Sequence, residues 1–211
     1  QRVDVFVPPS QFIFTRGSRA IVLAAAVLGG FTAWLGDHKV SLPAAVPGGV
    51  TSVPLWQLVT MGAAGLAVLG MHSRLADLEE VATHRLHRHR HRYLTVMSLA
   101  CAAIYLGLGA ITLPHAALLA IGRSWPGWCG LALLAGAILG WRLAWSLPAV
   151  GIIVLTFWGN LPDGQPRWWA FHAHPYDHLP SLLVSLALLA AGVAAYLATP
   201  WRRRRLRPWR R

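Results

Sequence analysis

The sequence predicts an all-α, polytopic membrane protein with about six transmembrane helices and both termini in the cytoplasm. Three observations lead to this fold class. The chain of 211 residues is 55% hydrophobic and only 12% charged, with a mean hydropathy of +0.49. Its apolar residues fall in long runs, and its Lys and Arg residues cluster between those runs. One soluble core of this length cannot bury so much apolar surface, so lipid must cover the remainder.

Six apolar runs are long enough, or nearly so, to cross a hydrocarbon core of about 30 Å at about 1.5 Å per helical residue. The fourth and fifth are short and separated only by Arg142, so they form either a tight helical hairpin or a broken pair that does not fully span. The apolar stretch 114–122 is too short to cross alone and is either a kinked continuation of the third helix or a re-entrant piece. The six predicted helices cover residues 20–36, 53–71, 93–113, 125–141, 143–158 and 181–199.

The positions of Lys and Arg predict the orientation, because cytoplasmic loops carry an excess of these residues. An even number of crossings with both ends inside leaves only three of the 19 Lys and Arg residues outside: Lys39, Arg123 and Arg167. The predicted organisation is therefore a cytoplasmic amphipathic segment at 1–19, a transmembrane domain at 20–199 and a basic cytoplasmic tail at 200–211.

Several function classes are disfavoured by what the chain lacks. Its basic residues do not form a stripe interleaved with aromatics on a polar scaffold, so we expect no nucleic-acid partner. The six predicted helix interiors contain no Asp, Glu, Lys or Arg, which disfavours a proton- or sodium-driven carrier. The sequence also has no GxxxxGK[ST] loop, so this chain is not the ATP-hydrolysing part of a pump. We expect no catalytic residues of its own.

The predicted outer loop before the last helix is rich in possible metal ligands. His172, His174, Asp177 and His178 are of types that suit copper or zinc. Close spacing alone does not make a metal site, and the apolar, Trp-rich loop is equally typical of an interfacial helix pair on the outer leaflet. We therefore expect no metal and no other cofactor in this chain, with these four residues as the alternative ligand set.

The predicted cytoplasmic loop 73–92 begins acidic and ends strongly basic. Glu79 and Glu80 lie near the start of a short amphipathic helix, where negative charge is favourable for the helix dipole. One interpretation is a docking helix for a cytoplasmic partner; the other is a solvated loop whose basic end touches anionic lipid heads. The hydrophobic residues at near-helical spacing in this loop are Leu75, Leu78, Val81 and Leu86.

The order of these parts resembles the small transmembrane subunits of type-2 ABC exporters, particularly the Trp-, Ala- and Arg-rich permeases of actinobacteria. An amphipathic segment at 8–16 precedes the first helix, as in that family. The segment 75–80 and the Arg-rich stretch after it are similar to the coupling helix between the second and third helices. Residues 168–179 are similar to the short outer helices before the last span.

The resemblance implies a non-catalytic permease subunit in a bacterial cytoplasmic membrane that moves an amphipathic or lipid-like molecule outward. Its implied partners are membrane lipids, an ABC ATPase subunit that carries the ATP and Mg²⁺, and a second permease half. That half is either a copy of this chain or a different one. The implied coupling contacts are Leu78, Glu79 and Glu80, and the implied outer-gate or interface residues are Trp168, Trp169, His172 and His174.

Two alternatives remain open on the sequence. The first is a membrane anchor or accessory subunit of a haem- or metal-dependent respiratory or oxidase complex, using histidines near the membrane surfaces. The second is a structural partner that packs against other membrane proteins through helix glycines.

Overall fold

The computed structural model describes residues 18–46, 48–70, 84–161 and 163–202, and this part of the chain is 71% helical. It contains six α-helices, a two-stranded hairpin and a single 3₁₀ turn at Trp141–Leu143. The hairpin strands are β1 (Lys39–Pro43) and β2 (Val50–Pro54). The helices are α1 (Ser18–Leu35), α2 (Leu55–Leu69), α3 (His84–Gly109), α4 (His115–Leu139), α5 (Ser146–Trp158) and α6 (Leu179–Arg202).

Four helical stretches of the described chain are long and apolar enough to cross a membrane, which indicates a membrane protein. They are Ser18–Leu35, Arg90–Gly109, Trp141–Trp158 and Leu179–Ala198. Helix α2 is apolar but has only 15 residues. Helix α4 is longer, yet Arg123, Ser124 and Pro126 interrupt its apolar character. The large apolar side chains that the bundle leaves exposed, as lipid contact requires, include Leu23, Val27, Val96, Leu99, Ile153 and Leu183.

The helices run alternately up and down, so the chain returns to the same end of the bundle after every second helix. At one end, called here the terminal end, Gly70 approaches Ile21 and Tyr93 closely. Arg90 lies over the rings of Trp141 and Tyr196 at this end. Helix α1 therefore begins, and α6 ends, at the terminal end.

The opposite end, called here the hairpin end, holds the β1–β2 hairpin, the turn between α3 and α4, and the α5–α6 loop (residues 159–178). The Thr112 hydroxyl after α3 donates a hydrogen bond of 2.6 Å to the Ala33 carbonyl of α1. The hairpin pairs Lys39 with Pro54 through Pro43 with Val50. It turns through Gly48 and Gly49, whose φ angles of 95° and 69° disfavour other residues. The all-α prediction is wrong for this loop, while the mainly helical fold is confirmed.

Helix α4 is the centre of the bundle and packs most extensively against α6, with further contacts to α2 and α5. Two glycines allow the backbones of α4 and α6 to touch. A Cβ atom on Gly130 would overlap the Leu188 carbonyl, and one on Gly192 would overlap the Gly130 carbonyl. Such small residues are typical of close helix contacts in membrane proteins.

The start of α4 differs from the sequence prediction. Its helix begins at His115 and not at residue 125, so the stretch 114–122 is the first part of a continuous helix. Pro114 precedes the helix in an extended conformation, with φ −63° and ψ 149°, and a proline here removes no helical hydrogen bond. Because Arg123 now lies within α4, the expectation that helix interiors contain no basic residue is also wrong.

Candidate functional site

The candidate site lies where the α5–α6 loop meets the hairpin and the end of α5. The Ala45 amide after β1 donates to the Phe157 carbonyl at 2.8 Å. The Asn160 side-chain amide donates to the Thr51 hydroxyl of β2 at 3.1 Å. Within the loop, Asn160 also forms an isolated antiparallel bridge with Pro166. The hairpin and the α5–α6 loop thus form one hydrogen-bonded layer over this end of the bundle.

Arg123 of α4 holds the second half of this loop. Its Nη2 atom donates to the Phe171 carbonyl at 2.9 Å and to the His174 carbonyl at 2.8 Å. Its Nη1 atom donates to the Pro175 carbonyl and, at 3.5 Å, to the His178 carbonyl. The side chain is only 7% exposed. Because a guanidinium presents its donors in one plane, this single residue fixes the path of residues 171–178 over α4.

His172 is buried beneath the loop and is 3% exposed. Its ring lies 5.9 Å from the Trp128 ring and 6.1 Å from the Phe171 ring, centroid to centroid. Burial lowers the pKa of His172 to about 4, and the positive charges of Arg123 and of protonated His174 act in the same direction. The imidazole is therefore neutral at pH 7. Its Nδ1 atom has no hydrogen-bond partner among the described residues.

His174 and His178 lie side by side nearer the surface, with parallel rings 3.8 Å apart. His174 Nε2 is 2.9 Å from the Arg167 carbonyl, and His178 Nδ1 is 2.8 Å from the Ser181 hydroxyl. Partial burial lowers the pKa of His174, the bond to Arg167 opposes this shift, and His178 and Arg123 add to it.

The alternative metal ligands are not brought together as a set. Within the part of the chain that the structure describes, no three His, Cys, Asp or Glu side chains are grouped so that they would hold a metal ion. His172 is buried against Trp128, whereas Asp177 is exposed. That the chain carries no cofactor stays a prediction.

The other predicted site residues differ in how exposed they are, and three of them lie outside the described residues. Trp168 is 68% exposed, while Trp169 is partly buried and packs against the core. Together with His172 and His174 they belong to one loop, although only His172 is fully buried. Their role as an outer gate stays a prediction. Leu78, Glu79 and Glu80 lie outside the described residues, so their coupling role stays a prediction too.

A cleft of about 300 Å³ opens between the hairpin, the end of α5 and the α5–α6 loop. Its lining is mainly polar, and two of its polar groups are nearly inaccessible, Thr156 at 6% and His172 at 3% exposed. The Oγ1 atom of Thr156, like Nδ1 of His172, has no hydrogen-bond partner among the described residues. The polar side chains that line the cleft include Lys39, Thr51, Gln57, Thr156, Asn160 and His172.

A second buried polar cluster joins α1, α2 and α3. The Tyr105 hydroxyl lies 2.9 Å from the Thr32 hydroxyl and 3.2 Å from the Thr60 hydroxyl. Thr60 also donates to the Trp56 carbonyl at 2.6 Å. All three hydroxyl groups therefore have hydrogen-bond partners inside the bundle, and the cluster joins three helices without any charged side chain.

Sequence reasoning missed Arg123 and the cleft for different reasons. Residues 122–126 contain Gly, Ser and Pro, a composition typical of a turn, and that composition hid the helix and made its arginine look like a loop residue. The one available signal was the continuity of apolar residues on both sides of this segment. The cleft had no such signal, because its lining combines residues from 39 to 173.

Comparison of the chain with protein-family models, with curated proteins and with solved structures found no match. The geometry and the charge distribution therefore carry the functional argument.

Proposed function

We propose that this chain is the membrane-spanning permease subunit of an ATP-driven ABC exporter in a bacterial cytoplasmic membrane. The observation that supports this most is the unlike character of the two ends of the bundle. The terminal end gathers exposed or partly exposed basic residues, among them Arg19, Arg90, Arg92 and Arg142. The hairpin end is instead closed by a hydrogen-bonded layer of hairpin and loop.

In this proposal all six helices cross the bilayer and the terminal end faces the cytoplasm, as the excess of arginine there favours. Helix α4, with 25 residues, spans about 37 Å. Helix α2, with 15 residues, spans only about 22 Å. A short helix within a bundle is accommodated by local thinning of the bilayer, and hairpin strand β2 continues α2 directly at the outer surface.

The length of α3 supports contact with a cytoplasmic ATPase. Its apolar stretch begins at Arg90, but the helix itself begins at His84. The extra turns are strongly basic and take up the second half of the predicted loop 73–92, so that prediction is wrong for residues 84–92. A continuous helix carries a displacement at its cytoplasmic tip into the membrane without bending. Leu78, Glu79 and Glu80 would then contact the partner subunit, which holds the ATP and Mg²⁺.

At the outer end the proposal assigns gating to the α5–α6 loop, with Trp168, Trp169, His172 and His174 as gate or interface residues. Arg123 supports this assignment because it bonds the loop to α4, the described helix with the most buried residues. A shift of α4 is therefore transmitted to the loop through charge-assisted hydrogen bonds. A second permease half and a lipid-like substrate would use the apolar faces that the bundle exposes.

The decisive experiment is copurification with the ATPase subunit, followed by an ATPase assay in reconstituted membranes. Replacing Glu79 and Glu80 together by Arg should lower the stimulated ATPase activity at least about tenfold, because the acidic start of the docking segment is reversed. The matched control is Asp37→Arg, an exposed charge reversal at the hairpin end outside the α5–α6 loop. It should leave activity unchanged. Purification without an ATPase, but with stoichiometric haem or copper, would support the respiratory alternative instead.

A labelling experiment tests the orientation separately. The two native cysteines, Cys101 and Cys129, are buried, so the unmodified chain serves as the unlabelled control. Ser41→Cys in β1 and Arg142→Cys near the 3₁₀ turn place thiols at exposed positions on opposite ends. A membrane-impermeant maleimide added to intact cells should label the first and not the second. Labelling of both, or of Arg142→Cys alone, contradicts the proposed topology.

A further inference from the structure

The cleft beneath the hairpin has the size of a small-molecule site. Its volume of about 300 Å³ is at the lower limit of ligand pockets in proteins, which run from about 300 to about 1,000 Å³. Four parts of the chain form its walls: the hairpin, the first turn of α2, the last turn of α5 and the α5–α6 loop. Because the hydrogen bonds between Asn160 and Thr51 and between Ala45 and Phe157 join three of these parts, the cleft is preformed.

The exposed Lys39 is the one charged side chain among the described residues that line the cleft, and that lining contains no Asp or Glu. Asp163, beside the lining residue Gly164, is exposed, and its carboxylate accepts a hydrogen bond from the Gln165 backbone amide at 3.0 Å. Arg123 donates to the carbonyl of Phe171, the residue before His172, and so places a second positive charge near the buried wall. The cleft is therefore more favourable to an anion than to a cation.

The lining includes two buried polar side chains, Thr156 and His172. Thr156 Oγ1 and His172 Nδ1 have no hydrogen-bond partner among the described residues, and both side chains are more than nine-tenths buried. Most buried polar atoms in proteins have a hydrogen-bond partner, so an exception in the wall of a cleft is a candidate contact for a bound water, ion or ligand. A threonine hydroxyl and a neutral imidazole each supply one N–H or O–H donor to an oxygen atom.

From these observations we propose that the cleft binds a small oxyanion of the phosphate type. Lys39 supplies the positive charge, and Thr156 and His172 donate hydrogen bonds from the buried wall. This site goes beyond the export function: it rests on the hairpin end alone and stands even if no ATPase binds this chain. A neutral polyol would make the same hydrogen bonds but would leave the Lys39 charge unused.

The test is direct binding of inorganic phosphate to the whole chain, purified in a phosphorus-free maltoside detergent. Saturable broadening of the phosphate ³¹P resonance is expected with the unmodified protein. Lys39→Gln should weaken binding at least about tenfold, since a charge-assisted contact is lost. Thr156→Val keeps the shape of the side chain and removes the hydroxyl, and it should weaken binding severalfold.

The matched control is Arg167→Gln, which removes an exposed cation of the same end that does not line the cleft. This variant should bind phosphate like the unmodified protein. Equal weakening by Arg167→Gln and Lys39→Gln would overturn the proposal, because it would show attraction to net charge only. Absence of saturable broadening would overturn it as well. Acetate, an anion, should displace phosphate more strongly than glycerol, a neutral polyol, and equal displacement by the two would overturn the proposal too.

Two competitors distinguish the sources of the phosphate group. Glycerol phosphate displaces inorganic phosphate if the cleft takes a soluble metabolite. A short-chain phosphatidylglycerol displaces it more strongly if the cleft takes a lipid headgroup from the outer leaflet. Displacement by either supports the site, and displacement by neither overturns it.

Discussion

Helices α1 and α4 differ in how they use the bundle. Only four of the 18 residues of α1 are buried, namely Ser18, Ala25, Gly29 and Thr32. Helix α4 buries 14 of its 25 residues. Yet α1 is one of the four described stretches with the hydropathy of a membrane span, whereas α4 is not. The most deeply buried helix thus carries a charged residue in its interior, whereas the helix at the edge carries none beyond its first turn.

The difference teaches that lipid and protein neighbours select different residues. A side chain that faces lipid must be apolar, because hydrocarbon offers no hydrogen bonds. A side chain that faces another helix is free to be small or polar if its partner satisfies it. Helix α4 accordingly carries Gly130 against α6 and Arg123 against the α5–α6 loop, while α1 exposes Leu23 and Val27.

The largest expected effect comes from removing the charge that distinguishes α4. Arg123→Leu removes the one charged side chain of α4 and leaves the carbonyls of Phe171, His174 and Pro175 without their donor. We expect the free energy of unfolding to fall by about 4 kcal/mol, measured by denaturant titration in detergent. Exposed Arg167→Leu is the control and should cost less than about 1 kcal/mol. Equal losses would mean that Arg123 does not hold the loop.

The pH dependence of stability tests the loop that α4 holds. Burial lowers the pKa of His172 to about 4 in the folded protein, below the usual histidine pKa of 6.5, so the unfolded chain binds the proton first as the pH falls. Stability should therefore be constant above about pH 6.5 and decrease toward pH 4, by roughly 3 kcal/mol at about 1.4 kcal/mol per pKa unit. His172→Gln should flatten this decrease. The control His115→Gln, at an exposed position, should leave the decrease as it is. If neither variant changes the slope, the result contradicts the burial of His172.

Substitution of one glycine in each helix tests whether α4 is packed more tightly than α1. Gly130→Ala in α4 would force the Leu188 backbone of α6 away, so we expect a loss of about 2 kcal/mol from overpacking. Gly30→Ala in α1 meets nothing within 4 Å and should be neutral or slightly stabilising. Thermal unfolding of both variants in the same detergent measures the difference. A loss at Gly30 as large as that at Gly130 would mean that α1 is packed like α4.

The smallest expected effect concerns the buried hydroxyl of α1. Thr32→Val removes the hydrogen bond to the Tyr105 hydroxyl, 2.9 Å away, and should lower the free energy of unfolding by about 0.6 kcal/mol, the typical value inside membrane bundles. Exposed Thr95→Val in α3 breaks only a bond to the His91 carbonyl and serves as the control. If both variants unfold alike, α1 is held by apolar contact alone.

The comparison of α1 and α4 also explains what could be predicted from the sequence. Hydropathy identified α1, α5 and α6 to within three residues at each end, because these helices expose apolar residues such as Leu23, Ile153 and Leu183. It began α3 nine residues late, at residue 93 instead of His84, because the first turns of that helix are strongly basic. It placed the start of α4 ten residues late, because the segment around Arg123 looks like a turn in isolation. Only the carbonyls of the α5–α6 loop make that segment stable as a helix, and their position is a tertiary property.

The candidate site was predictable only in part, because some of its residues come together only in the folded chain. The loop with Trp168, Trp169, His172 and His174 stood out by composition. The hairpin was not expected, because the Val and Thr residues of its strands are flanked by Pro and Gly, and this composition is also typical of loops. Lys39 and Thr156 are far apart in the sequence, and only the fold brings both to the cleft.

The contact between Arg123 and the α5–α6 loop also has a consequence for the synthesis of the chain. Helix α4 leaves the ribosome before residues 171–178, so its guanidinium has no carbonyl partners during its first passage into the bilayer. An arginine at the centre of a helix raises the cost of insertion by about 2.5 kcal/mol or more, and the cost is smaller nearer the membrane surface, where Arg123, the ninth residue of α4, lies. We therefore expect the insertion of α4 to become more favourable once the following loop has been translated and its carbonyls accept from Arg123.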